Sequence, residues 1–508
     1  MSQTSNTKRI VKNTLMLYFR QILIMLVSLY TVRVVLNVLG AEDYGIYNVV
    51  AGVVTMFSFL SGAMATASQR YFSFDLGKND IEHLKITFSV TFQIYVLLIL
   101  LVVILAETLG VWFVNHKLVI PPERMSAANW IFQAAMVSFL LTLITTPYMA
   151  CIIAHENMNV YAYVSIVEAG LKLGIVFLLT FLPYDKLVLY GILLALVALI
   201  NTSIYRFFCH KHYEECKFRF VKDKALFKEI ISYSGWNLFG SIVGVVKGQI
   251  TNILLNLYYG PVVNAARAVA SQVNTAVLSF SQNFSTALRP QIIKNYVAEK
   301  QEETMLLVYR GCKFTFFLMY IFAMPLLMEM DIVLNLWLKN PPELAVIFTR
   351  LALIDAVIDS ISFPLMTLAQ ATGRIKLYQG VVGGILLCNL PVSYLFLKFG
   401  APPYAVMVIA ICITFLTFVI RLFIVKRLTN MSILAFLQKS VFPCFLVALL
   451  SCVLPVVFIL NFKASLLRFF ITILISVTCT LVSVFFIGMN NNERRNLMQS
   501  IKNKIGAR

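Results

Sequence analysis

Six basic residues stand inside stretches that are otherwise apolar: Arg20, Arg33, Lys172, Lys247, Arg267 and Arg350. A cation at the middle of a bilayer costs about 2.5–3.5 kcal/mol on insertion scales, so each needs an acidic partner, a wet cavity or an anionic ligand. Arginine can fork onto the oxygens of an anion, whereas lysine acts as a point charge. At about 100° per residue on an ideal helix, Arg20 shares an arc with Gln21, Ser28 and Thr31, while Arg33 and Asn37 point the other way. Arg20 is therefore the better cavity cation, and Arg33 has the alternative of snorkelling to the interface. A second polar stripe, Asn264, Arg267, Ser271, Asn274, Thr275, Gln282 and Ser285, is one that lipid would not tolerate. A weaker version runs through Asn48, Thr55, Ser58, Gly62 and Thr66. The two faces are expected to line one central cavity, the alternative being hydrogen bonds between helices. Lys247 needs an anion, and the neighbouring Gly240, Gly244 and Gly248 repeat every four residues, a spacing suited to close helix packing. The candidate binding set is Arg20, Lys247, Arg267, Asn274, Lys172 and Arg33.

The acids are fewer. Glu168 and Lys172 are four residues apart with Tyr161 and Ser165 on the same face, a pattern that an internal helix pair explains as well as a site does. Asp355 and Asp359 share a face with Ser362, and two such carboxylates repel unless a proton, a cation or a nearby base intervenes. They are the candidates for coupling to H+ or Na+, with structural pairing to basic residues as the alternative. Cys209-His-Lys-His212 with Cys216 superficially resembles a metal site but lacks regular paired spacing, and no metal is expected there. No Gly-x4-Gly-Lys-Ser/Thr loop and no Ser/His/Asp or Cys/His set occurs on loops, so neither an enzyme nor a cofactor is expected.

The elements that must position these residues follow from composition. The 508 residues are 60% hydrophobic and only 13% charged, where a soluble domain carries about 25% charged residues. The apolar residues come in blocks of about twenty, the length of a membrane span. Fourteen blocks are expected to cross, the first near 14–36 and the last near 467–488. Lys and Arg test the topology, because cytoplasmic loops carry the excess. The loops on the side of the termini hold 29 and those opposite hold 7, which places both termini in the cytoplasm and explains the net charge of +19 without nucleic acid. Cysteines fall in apolar runs or basic loops, so no disulfide framework is expected.

The chain also repeats. Shifted by 220 residues, Gly40, Val53, Ser61 and Thr66 meet Gly260, Val273, Ser281 and Thr286; shifted by 217, Pro147 and Tyr161 meet Pro364 and Tyr378. Repeats facing one another suggest a transporter. The fold class expected is all-α and integral to the membrane: two pseudo-symmetric six-helix lobes, 1–210 and 231–428, joined by a basic linker at 211–230 and followed by two further spans in 429–508.

The stretch Leu39-Gly-Ala-Glu-Asp-Tyr-Gly-Ile-Tyr-Asn48, with Ala67-Ser-Gln-Arg-Tyr-Phe-Ser-Phe-Asp-Leu-Gly-Lys78 after it, resembles the first two loop signatures of bacterial oligosaccharide flippases. These export O-antigen and capsule repeat units within the multidrug/oligosaccharidyl-lipid/polysaccharide (MOP) superfamily. The resemblance implies a cargo of undecaprenyl-pyrophosphate-linked oligosaccharide, moved to the outer leaflet of the bacterial cytoplasmic membrane by alternating access. It also implies contact with membrane lipid and with polysaccharide assembly partners. The buried bases would then hold the pyrophosphate. A cation-coupled multidrug exporter of the same superfamily is the alternative, and the surplus of buried bases over acids counts against its typically cationic cargo. A membrane glycosyltransferase or polymerase would need a large charged outer loop, which is lacking.

Overall fold

The computed structural model describes residues 3–55, 57–118, 120–259, 261–338, 341–495 and 498, and these are helical with no strand among them. The helices are α1 (Gln3–Thr55), α2 (Ser58–Lys78), α3 (Ile81–His116), α4 (Pro122–Ala154), α5 (Met158–Phe181), α6 (Lys186–His212), α7 (Lys224–Tyr259), α8 (Pro261–Val297), α9 (Gln301–Leu338), α10 (Ala345–Ala371), α11 (Ile375–Lys398), α12 (Ala405–Thr429), α13 (Ile433–Asn461) and α14 (Leu466–Gly488). Ten of them, α3 to α6 and α9 to α14, are long and apolar enough to cross a membrane among the described residues. The other four of the fourteen expected spans fall on α1, α2, α7 and α8. The polar residues that mark α8 as a site helix also dilute its apolar surface, and in α1 the stretch Asn13–Ser28 is apolar among the described residues. Two compact lobes result, one of Val11–Ser241 and one from Ile242 onward.

In the N-terminal lobe α1 is two limbs that meet at Gly40 (φ 79°, ψ 166°), a left-handed conformation open to glycine because it has no Cβ. The stretch around Leu39–Gly40 is therefore a turn with almost no loop. Asp43, three residues on, is bound by Arg124, whose Nε donates to Oδ1 at 2.8 Å. The same guanidinium donates from Nη1 to Asp185 Oδ2 at 2.6 Å. Asp185 in turn caps α6, accepting from the backbone N–H groups of Leu187 and Val188 at 3.0 and 3.1 Å. Burial works against the charged form of Asp185, but Arg124 and those two N–H groups outweigh it and hold the carboxyl below its usual range. A carboxyl whose folded pKa is depressed contributes stability above its unfolded pKa and loses it as pH falls through the folded one. The clamp is thus expected to hold at neutral pH and to loosen only in acid, which hydrogen exchange of the Leu187 and Val188 amides against pH would report.

The second signature segment is also structural. Arg70 is buried, its guanidinium 4.5 Å from the Tyr71 ring centroid and 5.2 Å from that of Tyr233, and Tyr71 Oη donates to Glu229 Oε1 at 3.1 Å. Asp75 accepts from Thr87 Oγ1 at 2.6 Å and lies 3.0 Å from His83 Nδ1. Between α4 and α6 the approach is close: a Cβ on Gly191 would lie 2.7 Å from Ile131 Cδ1, a separation side chains do not tolerate.

In the second lobe charged groups tie α9 to α14 and to the segment that follows it. Lys313, 1% exposed, pairs with Glu493 at 2.7 Å, and Arg310 reaches the same carboxylate at 3.1 Å. Farther along α9, Glu329 receives Arg468 Nη2 at 2.8 Å and Thr472 Oγ1 at 3.0 Å. Removing one member of a buried pair strands the other, at a cost of about 3–5 kcal/mol. Glu493→Ala is accordingly expected to destabilise the protein by that order, read as a lower thermal midpoint in detergent, with Glu493→Gln recovering part of it. The glycine face of α7 departs from expectation: a Cβ on Gly244 or Gly248 would meet nothing within 4 Å, so these two do not mark a close helix crossing.

Candidate functional site

Within the N-terminal lobe α1, α2, α4, α5 and α6 surround a cavity of about 790 Å³, in the range of small-molecule sites, about 300–1,000 Å³. Its ionisable lining among the described residues is Arg20, Glu168 and Lys172, one positive charge in excess. Arg20 and the residues one face of α1 carries with it, Ser28 and Thr31, all line the space. The Arg20 guanidinium lies 4.5 Å from the Tyr161 ring centroid and its Nη1 donates to Ser165 Oγ at 3.5 Å. Tyr161, Ser165, Glu168 and Lys172 succeed one another on α5 at helical spacing, which is why one face delivers all four.

Lys172 Nζ donates to Glu168 Oε1 at 2.6 Å, and Asn201 Nδ2 on α6 donates to Glu168 Oε2 at 3.1 Å. The internal pair expected from the four-residue spacing is therefore present, and it sits on the cavity wall. Glu168 holds Lys172, and the three charged groups together leave the wall one positive charge in excess. Neutral hydrogen-bonding groups fill in the remainder. Thr145 and Thr202 share a hydrogen bond of 2.8 Å, Ser61 and Thr146 one of 3.3 Å, while Asn201 Oδ1 and Thr31 Oγ1 are buried with no hydrogen-bond partner. Buried polar atoms without partners are costly, and a hydroxyl-rich ligand would satisfy them. The arrangement can hold an anion on Arg20 and hydroxyl groups on Asn, Ser and Thr side chains; it contains no nucleophile placed beside a base.

In the second lobe Arg267 Nη1 and Asn274 Oδ1 are both buried on α8 without hydrogen-bond partners. Seven residues apart, they stand two turns along one face. Asp359 is paired with Arg421 Nη1 at 3.3 Å, and the Arg421 guanidinium lies 5.9 Å from the Tyr378 ring centroid. The base invoked to reconcile Asp355 and Asp359 is present beside Asp359. Arg350 pairs with Asp331 at 2.7 Å and donates to Leu327 O at 2.9 Å, a structural role. The side chains of Arg33, Lys247, Asn48, Thr55 and Asn264 lie outside the described residues.

Two residues escaped the sequence reading. Asn201 is an amide in an apolar span, and only its place opposite Glu168 reveals its use. Arg421 was counted among loop bases, although it is 7% exposed within α12. Tyr161 and Tyr378, matched in the repeat, each lie under an arginine, but Arg20 comes from α1 and Arg421 from α12. The repeat thus preserves the aromatic platform and not the source of the cation.

The family described as polysaccharide biosynthesis protein matches residues 10–296. Among solved structures, an outward-facing multidrug resistance MATE family transporter of the MOP superfamily is similar with TM-score 0.74 and 11% identity, over 84% of this chain and 96% of that one. A MATE transporter in its straight conformation gives TM-score 0.73 and 11% identity over 84% and 97%. A MOP superfamily transporter from Pyrococcus furiosus, described as having a binding pocket of reversed polarity that suggests a different function, gives 0.64 and 11% over 83% and 97%. Comparison with curated proteins finds no match.

Proposed function

We propose, starting from the chain's membership of the polysaccharide biosynthesis protein family, that it is a flippase for undecaprenyl-pyrophosphate-linked oligosaccharide. Family and fold are those of multi-pass membrane transporters of the MOP superfamily. The observation that carries the proposal is the 790 Å³ cavity whose charged lining, Arg20, Lys172 and Glu168, is net positive by one and whose other walls offer hydroxyl and amide groups. The pyrophosphate binds the arginine, the sugar hydroxyls bind the Asn, Ser and Thr groups, and the polyprenyl chain stays in lipid. Lys172 and Arg33 are the further residues of this lobe assigned to the anion, and Lys247, Arg267 and Asn274 are those assigned to anion contact within the second lobe.

Transport runs by alternating access from the cytoplasmic to the outer leaflet of a bacterial cytoplasmic membrane, with both termini cytoplasmic. With a negative interior, outward movement of negative charge is favourable by about 2.3 kcal/mol per charge per 100 mV. The empty cationic site then has to return against the field, and we assign assistance in that step to H+ or Na+ at Asp355 and Asp359. Since Arg421 balances Asp359, Asp359→Asn is expected to lower stability by stranding Arg421, whereas Asp355→Asn is expected to slow transport at normal protein level. Unchanged transport in Asp355→Asn would remove the coupling role.

The test of cargo is binding to the purified protein in detergent by quenching of its tryptophans. Undecaprenyl pyrophosphate is expected to bind more tightly than undecaprenol and to be lost at high salt. Preference for a hydrophobic cation over both would overturn the proposal in favour of drug export.

A further inference from the structure

We infer that the N-terminal lobe carries a thiophilic metal site, independent of the cavity, formed by Cys151, His155 and Glu215, with Cys216 beside it. The Cys151 Sγ, a His155 ring nitrogen and a Glu215 carboxylate oxygen all lie within 4.8 Å of one another. Cys151 Sγ is 3.5 Å from Glu215 Oε1 and 3.5 Å from Cys216 Sγ, and His155 Nε2 is 2.5 Å from Glu215 Oε1. Around a tetrahedral zinc ion, with Zn–S about 2.3 Å and Zn–N and Zn–O about 2.0–2.2 Å, ligand atoms stand roughly 3.3–3.8 Å apart. The Cys151–Glu215 separation already has that value, and His155 and Glu215 need to part by under about 1 Å from their direct contact to admit the ion.

The fold presents these ligands deliberately. Cys151 and His155 are one turn apart at the end of α4, while Glu215 and Cys216 come from the single 3-10 turn Glu214–Cys216 that follows α6. The His155 ring is fixed by stacking on Tyr213 at 4.2 Å between centroids and 9° between planes. Cys151, Glu215 and Cys216 are buried, and His155 is part-exposed, giving the ion a way in. A dication with one thiolate, one carboxylate and a neutral imidazole is charge-neutral, which suits a buried position; the displaced thiol proton goes to solvent. The Cys209-His-Lys-His212 set, where no metal is expected, stays outside this group: His212 Nδ1 contacts Phe208 O, and the histidine of the group is His155, some 60 residues before Glu215. The ion would tie the basic segment after α6 to the end of α4.

The test uses the full chain, purified in detergent under a non-thiol reductant and stripped by a chelator, titrated with Co2+ and then Zn2+. One Co2+ per chain, with a sulfur-to-cobalt charge-transfer band that Zn2+ displaces, is expected. Cys151→Ser should remove the band, and His155→Gln, a part-exposed position that leaves the core intact, should weaken Co2+ binding by more than about tenfold. Replacing the exposed Cys388 and Cys412 by serine should change nothing. Absence of the band in a wild-type protein that remains monodisperse, a band that survives both Cys151→Ser and His155→Gln, or a Cys151–Cys216 disulfide recovered from cells in place of bound metal would each overturn the site.

Discussion

Arg20→Ala is expected to reduce binding of undecaprenyl pyrophosphate by roughly ten- to a hundredfold, because a hydrogen bond to a charged group contributes about 1.5–3 kcal/mol. The loss should appear equally in transport, measured as surface polysaccharide at matched protein level. Arg20 and Lys172 leave the N-terminal cavity one positive charge in excess over Glu168, and removing Arg20 cancels that excess. Arg20→Lys keeps the charge but neither the fork nor the flat stack on Tyr161, so an intermediate affinity is expected. Lys172→Met alone should also weaken anion binding, but by another route: it exposes Glu168 as an unbalanced carboxylate in the cavity, and the double variant Lys172→Met, Glu168→Gln should restore much of the loss. If Arg20→Ala bound and transported like wild type, the cavity would not be the anion site.

Arg267→Met is expected to make the protein more stable and less active at once. Its Nη1 is buried with no hydrogen-bond partner, so in the empty protein the guanidinium is a cost rather than a support, about 2.5–3.5 kcal/mol by insertion scales. A methionine of similar length removes that cost, and the thermal midpoint in detergent should rise. Transport should fall, because a buried cation is retained against its cost only where an anion repays it in another state. The contrast with Glu493→Ala separates the two kinds of buried charge: the Lys313–Glu493 pair is structural and its loss should lower the midpoint. A lower midpoint in Arg267→Met would assign Arg267 to architecture.

The lobes, the apolar helices and the polar faces were legible because helical periodicity puts Tyr161, Ser165, Glu168 and Lys172 on one side, and Arg20 with Ser28 and Thr31 on another, whatever the tertiary arrangement. The polarity of α2 and α8 was legible from the Ser, Thr, Asn and Gln residues they carry. What periodicity cannot supply is pairing across distance. Nothing local joins Asp359 to Arg421, Glu493 to Lys313 or Asp43 to Arg124, since each contact is decided by how helices meet. The signature segments illustrate the limit: they carried the resemblance, yet Asp43, Arg70 and Asp75 are engaged in clamps that hold the lobe and not in the cavity. The glycine row of α7 shows the reverse error, a packing pattern in sequence that meets open space at Gly244 and Gly248.

The most direct test of the central claim is deletion of the gene in its own host, followed by analysis of lipid-linked oligosaccharide and surface polysaccharide. The account predicts loss of surface polysaccharide with accumulation of undecaprenyl-pyrophosphate-linked oligosaccharide on the cytoplasmic side, both restored by the wild-type chain and not by Arg20→Ala. Unchanged surface polysaccharide together with greater sensitivity to cationic drugs would contradict it and identify an exporter.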